Sequence, residues 1–466
     1  MHPGEATTGP QRWTARLWQG LDRHPIAVLS ILYVVCVALF LGSIRLPRVD
    51  GQLTGSDGAF YYSYLPSLIL DHDLDFGNQY AALVPVRDIA RLPKSPDGRP
   101  HNQYAIGPAI LWAPFFLAGH LLAIVLRAMG HPIPLDGLGY VYQVPTLFGS
   151  LTYGFAGLLL LYRSCCRTFS RSVSASAAIL IWLATSLIYY MIAEPSMSHA
   201  CSFFAAALFL NLWLSFRPNP TPGQWLLLGL SGGLIALVRQ PDATWLALPA
   251  LDLLLTAAGG RQAWPARYAK GFFIYGIAAA AAFLPQIIVW HILNGSIYRA
   301  GYTYALERAH FHWFSPKVLP LLFSLQHGLF SWHPLLLFAA AGLLFMYRKN
   351  RSLTLALSLI FASQIYVIGA WFGWSGGHSF GSRMLISSLP LLAFGLAALI
   401  EWMAKRRALP AVGLLGAAFI AWNALFFLQY RFGYIPKLGP ITFYQLTLGK
   451  VAMLQDLPSR LIGMIQ

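Results

Sequence analysis

Apolar runs closed by short polar or basic breaks follow one another along almost the whole chain. They fall near residues 25–46, 106–126, 143–162, 173–192, 199–216, 224–238, 243–257, 271–293, 331–347, 352–372, 384–403 and 409–428. Many approach or exceed the roughly 17–25 residues that a helix needs to cross a hydrocarbon core. A helix satisfies its own backbone polar groups in lipid, and an open strand does not. The pattern therefore predicts an all-α polytopic membrane protein, a single membrane domain over residues 1–466 with no internal repeat or hinge-like linker.

Composition agrees: 57% of the residues are hydrophobic and 10% charged, against about 25% charged in a soluble domain. The formal net charge is +16, but the basic residues are dispersed among short loops, which argues for anionic lipid headgroups as partners and against nucleic acid. Clusters at Arg163/Arg167/Arg171, Arg261/Arg267/Lys270, Arg348/Lys349/Arg351 and Lys405/Arg406/Arg407 should lie inside with Arg12, Arg16 and Arg23. That placement requires an even number of crossings between clusters, yet three runs precede Arg163. One of them must not cross. Residues 106–126 are interrupted by Pro108, Pro114, Gly119 and His120 and are read as a juxtamembrane or re-entrant helix.

The expectation is about eleven spans, the N-terminus inside and the C-terminus outside. A first outer loop covers 47–142 and carries juxtamembrane helices, a second covers 294–330, and an outer tail runs over 429–466. The first run reads as an uncleaved span, being long for a signal peptide. Cys36, Cys165, Cys166 and Cys201 show neither disulfide-framework nor zinc spacing. Short loops without retention or anchor signals suit a bacterial plasma membrane.

The first outer loop holds the densest acidic group: Asp57 in Gly55-Ser56-Asp57-Gly58, then Asp71-His72-Asp73 and Asp75. Outer loops also carry acids simply because they are wet. Asp57 stands apart because it follows the first span closely and precedes a short amphipathic segment, Phe60 to Leu70, that holds it at the interface. A carboxylate so placed suits a general base for an acceptor hydroxyl. Glu194, at the junction of two spans, is a second acid where an unpaired carboxylate is costly, with pairing to an arginine as its structural alternative. His199 reads as a cap of the following helix. Arg239, Arg299, Arg308, Lys317 and Arg383 stand on the less basic face. Snorkelling to headgroups explains such charges one at a time, and a phosphate-bearing ligand explains several together. Arg239 and Arg383, each in a Gly- or Pro-marked turn, are the preferred phosphate ligands.

These residues resemble the GT-C superfamily of glycosyltransferases, which includes protein O-mannosyltransferases and lipid A aminoarabinose transferases. Asp57 matches the aspartate that opens the acidic motif of the first outer loop, although the usual second acid is here Gly58. The segment Gln103 to Pro108, followed by a non-crossing helix, is similar to the Lys-Pro-Pro segment and juxtamembrane helix of those enzymes, with His101 near the place of the missing lysine. Glu194-Pro195 resembles their second acid, Val238-Arg239 their basic residue between later spans, and Gln326 to Phe330 with Pro334 the segment opening a later span. The resemblance implies inverting transfer from a polyprenyl-phosphate sugar to a glycan, lipid or protein acceptor. Asp57 is then the base and Glu194 a positioning acid, while Arg239, Arg383, Arg299, Tyr61, Tyr104, His101 and His378 bind substrate or lipid phosphate. Some members of the superfamily use a divalent metal. Asp71, His72 and Asp73, with His101 and His378, are the residues that offer ligands for one. A flippase of a lipid-linked saccharide and a polysaccharide polymerase or ligase are the competing readings. The first commonly shows repeats and broken helices, neither of which is visible in the sequence.

Overall fold

The computed structural model describes residues 18–44, 53–89, 91–217, 219–258, 267–305 and 310–465. Arg12, Arg16, Arg261 and Arg308 lie outside them. The described residues are all-α apart from two isolated antiparallel bridges, Lys94 with Pro100 and Phe311 with Trp371. The main helices are α1 (Pro25–Ser43), α2 (Asp57–Pro66), α3 (Gly107–Ala128), α4 (Tyr140–Cys165), α5 (Arg171–Leu183), α6 (Leu187–Ile192), α7 (His199–Phe216), α8 (Pro222–Val238), α9 (Leu248–Ala258), α10 (Arg267–Asn294), α11 (Leu335–Lys349), α12 (Arg351–Ala370), α13 (Leu389–Lys405), α14 (Leu409–Arg431) and α15 (Gly449–Ile465).

The protein is a multi-pass integral membrane protein. Among the described residues, eight helical segments are long and apolar enough to cross a bilayer: Pro25–Ser43, Gly107–Ala128, Tyr140–Cys165, His199–Phe216, Tyr268–Asn294, Arg351–Ala370, Arg383–Lys405 and Leu409–Arg431. The difference from the expected eleven has local causes. The run at 173–192 is not one helix: it breaks between Leu183 and Leu187, so the sequence reading of no broken helix is corrected here. The freed carbonyls of Leu183 and Thr185 each accept a 2.8 Å hydrogen bond from Asn423 Nδ2, which keeps the break satisfied in an apolar setting. The run at 243–257 begins as a 3₁₀ turn, Gln240–Ala247, with Pro241 near its start, and the run at 331–347 is interrupted at His333-Pro334.

Backbones approach closely where side chains are smallest. A Cβ on Gly229 or Gly233 of α8 would lie 2.4 Å from the carbonyl oxygens of Tyr275 or Ala279 on α10, which is how small residues let membrane helices pack tightly. Helix α1 does the opposite and turns Ile31, Val34 and Leu39 outward, the apolar face that lipid solvates.

Helix α3 runs antiparallel to the first half of α4. Tyr153 Oη donates to Leu111 O at 2.9 Å, Trp112 Nε1 donates to Ser150 Oγ at 2.9 Å, and His120 Nδ1 lies 2.9 Å from Tyr142 Oη. From residue 111 to 120, α3 thus climbs α4 from residue 153 back toward residue 142, away from the Arg163 end.

The basic clusters meet at that Arg163 end. Arg167 donates to Ser215 Oγ at 2.5 Å and Lys349 to Thr168 O at 3.4 Å. Glu401 pairs with Lys349 at 2.6 Å and with Lys405 at 3.4 Å, and Arg217 pairs with Asp252 at 2.5 Å. At the opposite end α15 docks on α14 through Lys450. Its buried Nζ lies over the rings of Phe426 and Trp422, at 3.1 and 4.5 Å from their centroids, and donates to Gln429 Oε1 at 3.2 Å.

Candidate active site

Asp57 is the first residue of α2. Ser56 before it holds the left-handed region at φ 57°, a conformation costly for a non-glycine residue, and the turn it makes sets the Asp57 carboxylate facing inward. Oδ1 accepts from Tyr104 Oη at 2.7 Å, and Oδ2 pairs with Arg383 Nη2 at 2.9 Å. The aspartate side chain stays 24% exposed, open to a ligand while both oxygens are fixed. Its neighbour Gly58 has no room for the second acid that the resemblance leads one to expect: a Cβ there would sit 2.1 Å from Ser196 Oγ.

Tyr104 is held by its own segment. Tyr64 Oη donates to Tyr104 O at 2.9 Å, Asn102 accepts from Tyr104 N at 3.1 Å, and Ile106 N donates to Gln286 Oε1 at 3.0 Å. The Tyr104 ring meets Tyr61 edge-on at 4.9 Å and stacks on Phe60 at 5.1 Å. Arg383 arrives from the other side of the chain at the end of the turn Gly376 to Arg383. There Gly376, Gly377 and Gly381 all have positive φ, and a Cβ on Gly381 would meet His333 Nε2 at 2.3 Å, so this turn admits only glycine at that point.

Arg239 closes α8 and is 6% exposed. Nη1 donates to Met384 O at 3.0 Å, and the fully buried Asp242 carboxylate lies 3.7 Å from Nη1. Asp242 in turn accepts from Ser202 Oγ at 2.6 Å and Ser387 Oγ at 2.8 Å. This one carboxylate therefore ties Arg239 to α7 and to the 3₁₀ segment Arg383–Ser388 that carries the second arginine.

Asp57, Arg239 and Arg383 line one cavity of about 530 Å³, with Tyr61, Trp290, Phe311, Trp371 and Phe372 as aromatic wall. The loop expected over 294–330 contributes part of that wall through Ala300, Gly301, Thr303 and Phe311, and it is pinned there by His312 N donating to Ala370 O at 2.6 Å and Phe372 N donating to His310 O at 3.2 Å. Guanidiniums, one partly exposed carboxylate and flat aromatic faces suit a sugar phosphate.

Several sequence candidates are placed elsewhere. Glu194 does not line the cavity. It accepts from Tyr189 Oη at 2.9 Å, and burial, chiefly, raises its carboxyl above the usual range despite that bond. His101 is buried with Nε2 2.5 Å from Asn294 Oδ1 and pins the segment before α3 to the end of α10, its pKa lowered by burial. Arg299, His378 and Lys317 are exposed and off the cavity wall. Asp71, His72 and Asp73 point to solvent. The two carboxylates close their own loop, Asp71 accepting from Asn78 and Gln79 and Asp73 from Ser67 and the Asp75 amide. Among the described residues no three His, Cys, Asp or Glu side chains converge on a metal position. His199 does not cap α7, where Ser198 is the N-cap residue and its side chain makes no capping bond. It lines the cavity instead. His199 was read from the sequence as a cap, and Asp242 was given no role. Their signals were an ionisable residue in the first turn of an apolar run and an acid three residues after a candidate arginine.

This architecture recurs in solved structures. ArnT from Cupriavidus metallidurans bound to undecaprenyl phosphate aligns with 86% of this chain at a TM-score of 0.51 and 12% identity, 70% of that chain being covered. The archaeal oligosaccharyltransferase AglB from Archaeoglobus fulgidus, in complex with an inhibitory peptide and a dolichol-phosphate, aligns with 91% of this chain at a TM-score of 0.54 and 14% identity. The fold is that of the GT-C membrane glycosyltransferases. An Archaeoglobus fulgidus oligosaccharyltransferase in complex with Zn and sulfate aligns with 89% of this chain at a TM-score of 0.54 and 16% identity. The chain spans 57% and 54% of those two oligosaccharyltransferase chains. No family model matches the sequence, and no curated protein matches it. In this GT-C fold Asp57 sits just beyond α1, and the cavity opens among the helix ends farthest from the basic clusters.

Proposed function

We propose that this protein is a glycosyltransferase that moves a sugar from a polyprenyl-phosphate donor to an acceptor hydroxyl, with inversion. The observation that carries the reading is the Asp57 carboxylate, fixed by the Tyr104 hydroxyl and paired with the Arg383 guanidinium, in the cavity that Arg239 also lines. The acceptor oxygen attacks the anomeric carbon and its proton passes to Asp57. The bond from that carbon to the phosphate oxygen breaks, and its electron pair leaves on the lipid phosphate. Positive donors placed where that charge develops lower the barrier, and a positioned carboxylate base contributes about 10²–10⁴-fold.

The topology proposed with it has eleven spans, with the cavity on the outer face of a bacterial plasma membrane. The first outer loop is 47–142, the second 294–330, and the C-terminal tail from 429 is outside. Convergence of Arg167, Arg217, Lys349 and Lys405 at the end opposite the cavity supports this orientation. The climb of α3 along α4, away from Arg163, supports a helix that stays on the cavity side although its length would span.

The test is turnover. Purified protein given a polyprenyl-phosphate sugar and an acceptor mixture should release polyprenyl phosphate, and Asp57→Asn should slow that release by about 10²–10⁴-fold while the protein keeps its wild-type melting transition. Release from Asp57→Asn at the wild-type rate would remove Asp57 from the mechanism.

A further inference from the structure

We infer that His199, together with the first turn of α7, receives the phosphate of the leaving lipid beside Arg239, an assignment that rests on the transferase reading above. Of the two arginines on the cavity wall, Arg383 is already engaged by the Asp57 carboxylate at 2.9 Å. Arg239 is aimed along the wall toward Met384 O, steadied by Asp242, whose oxygens are taken up by Ser202 and Ser387. What remains beside Arg239 is the start of α7, where Met197, Ser198 and His199 line the cavity.

Three features make that point a receptor for an anion. Helix α7 is 18 residues long, and its first backbone N–H groups have no intrahelical acceptor. The helix dipole adds partial positive charge there, and the Ser198 side chain makes no capping bond that would consume these donors. The His199 side chain supplies the second and independent feature. It is 4% exposed, and Nδ1 is buried with no hydrogen-bond partner among the described residues. Burying such a group without a partner costs free energy, and the cost is recovered when a ligand fills the cavity. The ring is held in place by its edge-on contact with Tyr190, at 4.7 Å between centroids. An imidazole carries an N–H donor in either protonation state. The third feature is charge. Arg239 adds a guanidinium to the same wall, steadied 3.7 Å from the buried Asp242 carboxylate, and Arg383 adds a second, paired with Asp57. A phosphate monoanion or dianion accepts from all of these donors at once, and a neutral sugar hydroxyl does not use the charge.

Binding of polyprenyl phosphate and of polyprenol, measured on full-length protein in nanodiscs, tests the assignment because the two probes differ only in the phosphate. The wild type should prefer polyprenyl phosphate. His199→Phe, which keeps the aromatic contact with Tyr190 and removes the donors, should weaken polyprenyl phosphate by about 10-fold or more and leave polyprenol unchanged. His199→Gln, which keeps an N–H donor, should recover most of the loss. If His199→Phe does not keep the wild-type melting transition, His199→Ala takes its place with the same expectation. Unchanged preference for the phosphate in these variants would overturn the role of His199 while leaving the transferase reading intact. A wild type that did not distinguish the two probes would overturn both.

Discussion

At one end of the bundle Arg217 meets Asp252 and Lys349 meets Glu401. At the other Arg383 meets Asp57 and Arg239 leans on Asp242. The pairs are chemically alike and their surroundings are not. Asp252 is buried, has a second donor, Trp213 Nε1 at 3.0 Å, and does not line the cavity described above. Asp57 faces open space, and its partners come from two distant parts of the chain, Tyr104 and Arg383. The first arrangement closes helix ends together. The second holds charge beside a cavity, and under the proposed transfer the same kind of ion pair serves a ligand and not the fold alone.

The comparison breaks most sharply at Asp57. Asp57→Asn should abolish most turnover, about 10²–10⁴-fold by initial rates of polyprenyl phosphate release, with little change in melting temperature. At the basic end the effect should invert. Arg217→Met leaves the buried Asp252 carboxylate without its cation and should destabilise the protein by about 3 kcal/mol, read by thermal or denaturant unfolding, with turnover per folded molecule unchanged. Asp242→Asn should loosen Arg239 and raise KM for the donor about 10-fold with a smaller change in kcat, since it removes one partner of a buried ion pair. Glu194→Gln should change turnover by less than about 3-fold, because Glu194 faces Tyr189 and not the cavity. Its raised carboxyl pKa means that the folded state holds a proton more tightly than the unfolded state does. Stability should therefore fall as pH rises from the ordinary glutamate value through the raised one, and melting temperatures measured across that window should lose this decline in Glu194→Gln.

Much of this was legible in the chain itself. Charge parity set residues 106–126 apart as a helix that does not cross; in the structure they form one helix, α3, antiparallel to α4 and long and apolar enough to cross. Asp57, Arg239 and Arg383, each at a helix end or in a turn beside one, line one cavity together with Tyr61 of α2, and Tyr104 reaches it only through its hydrogen bond to Asp57. Glu194, His101, Arg299 and His378 stand at similar places and miss it, since a linear pattern gives a residue's level in the bundle but not the direction of its side chain. The break at 184–186 was hidden for another reason: the donor that satisfies it, Asn423, lies more than two hundred residues away. The reason for Gly58 was also distant in the chain, lying in the contact with Ser196.

The most direct test of the account is an experimental structure of the protein in a lipid nanodisc with polyprenyl phosphate bound. The account predicts phosphate density in the cavity against Arg239 and His199, within reach of the Asp57 carboxylate, with the lipid tail leaving toward the bilayer. Phosphate bound away from that cavity, or Asp57 turned out to solvent with Arg383 elsewhere, would contradict it.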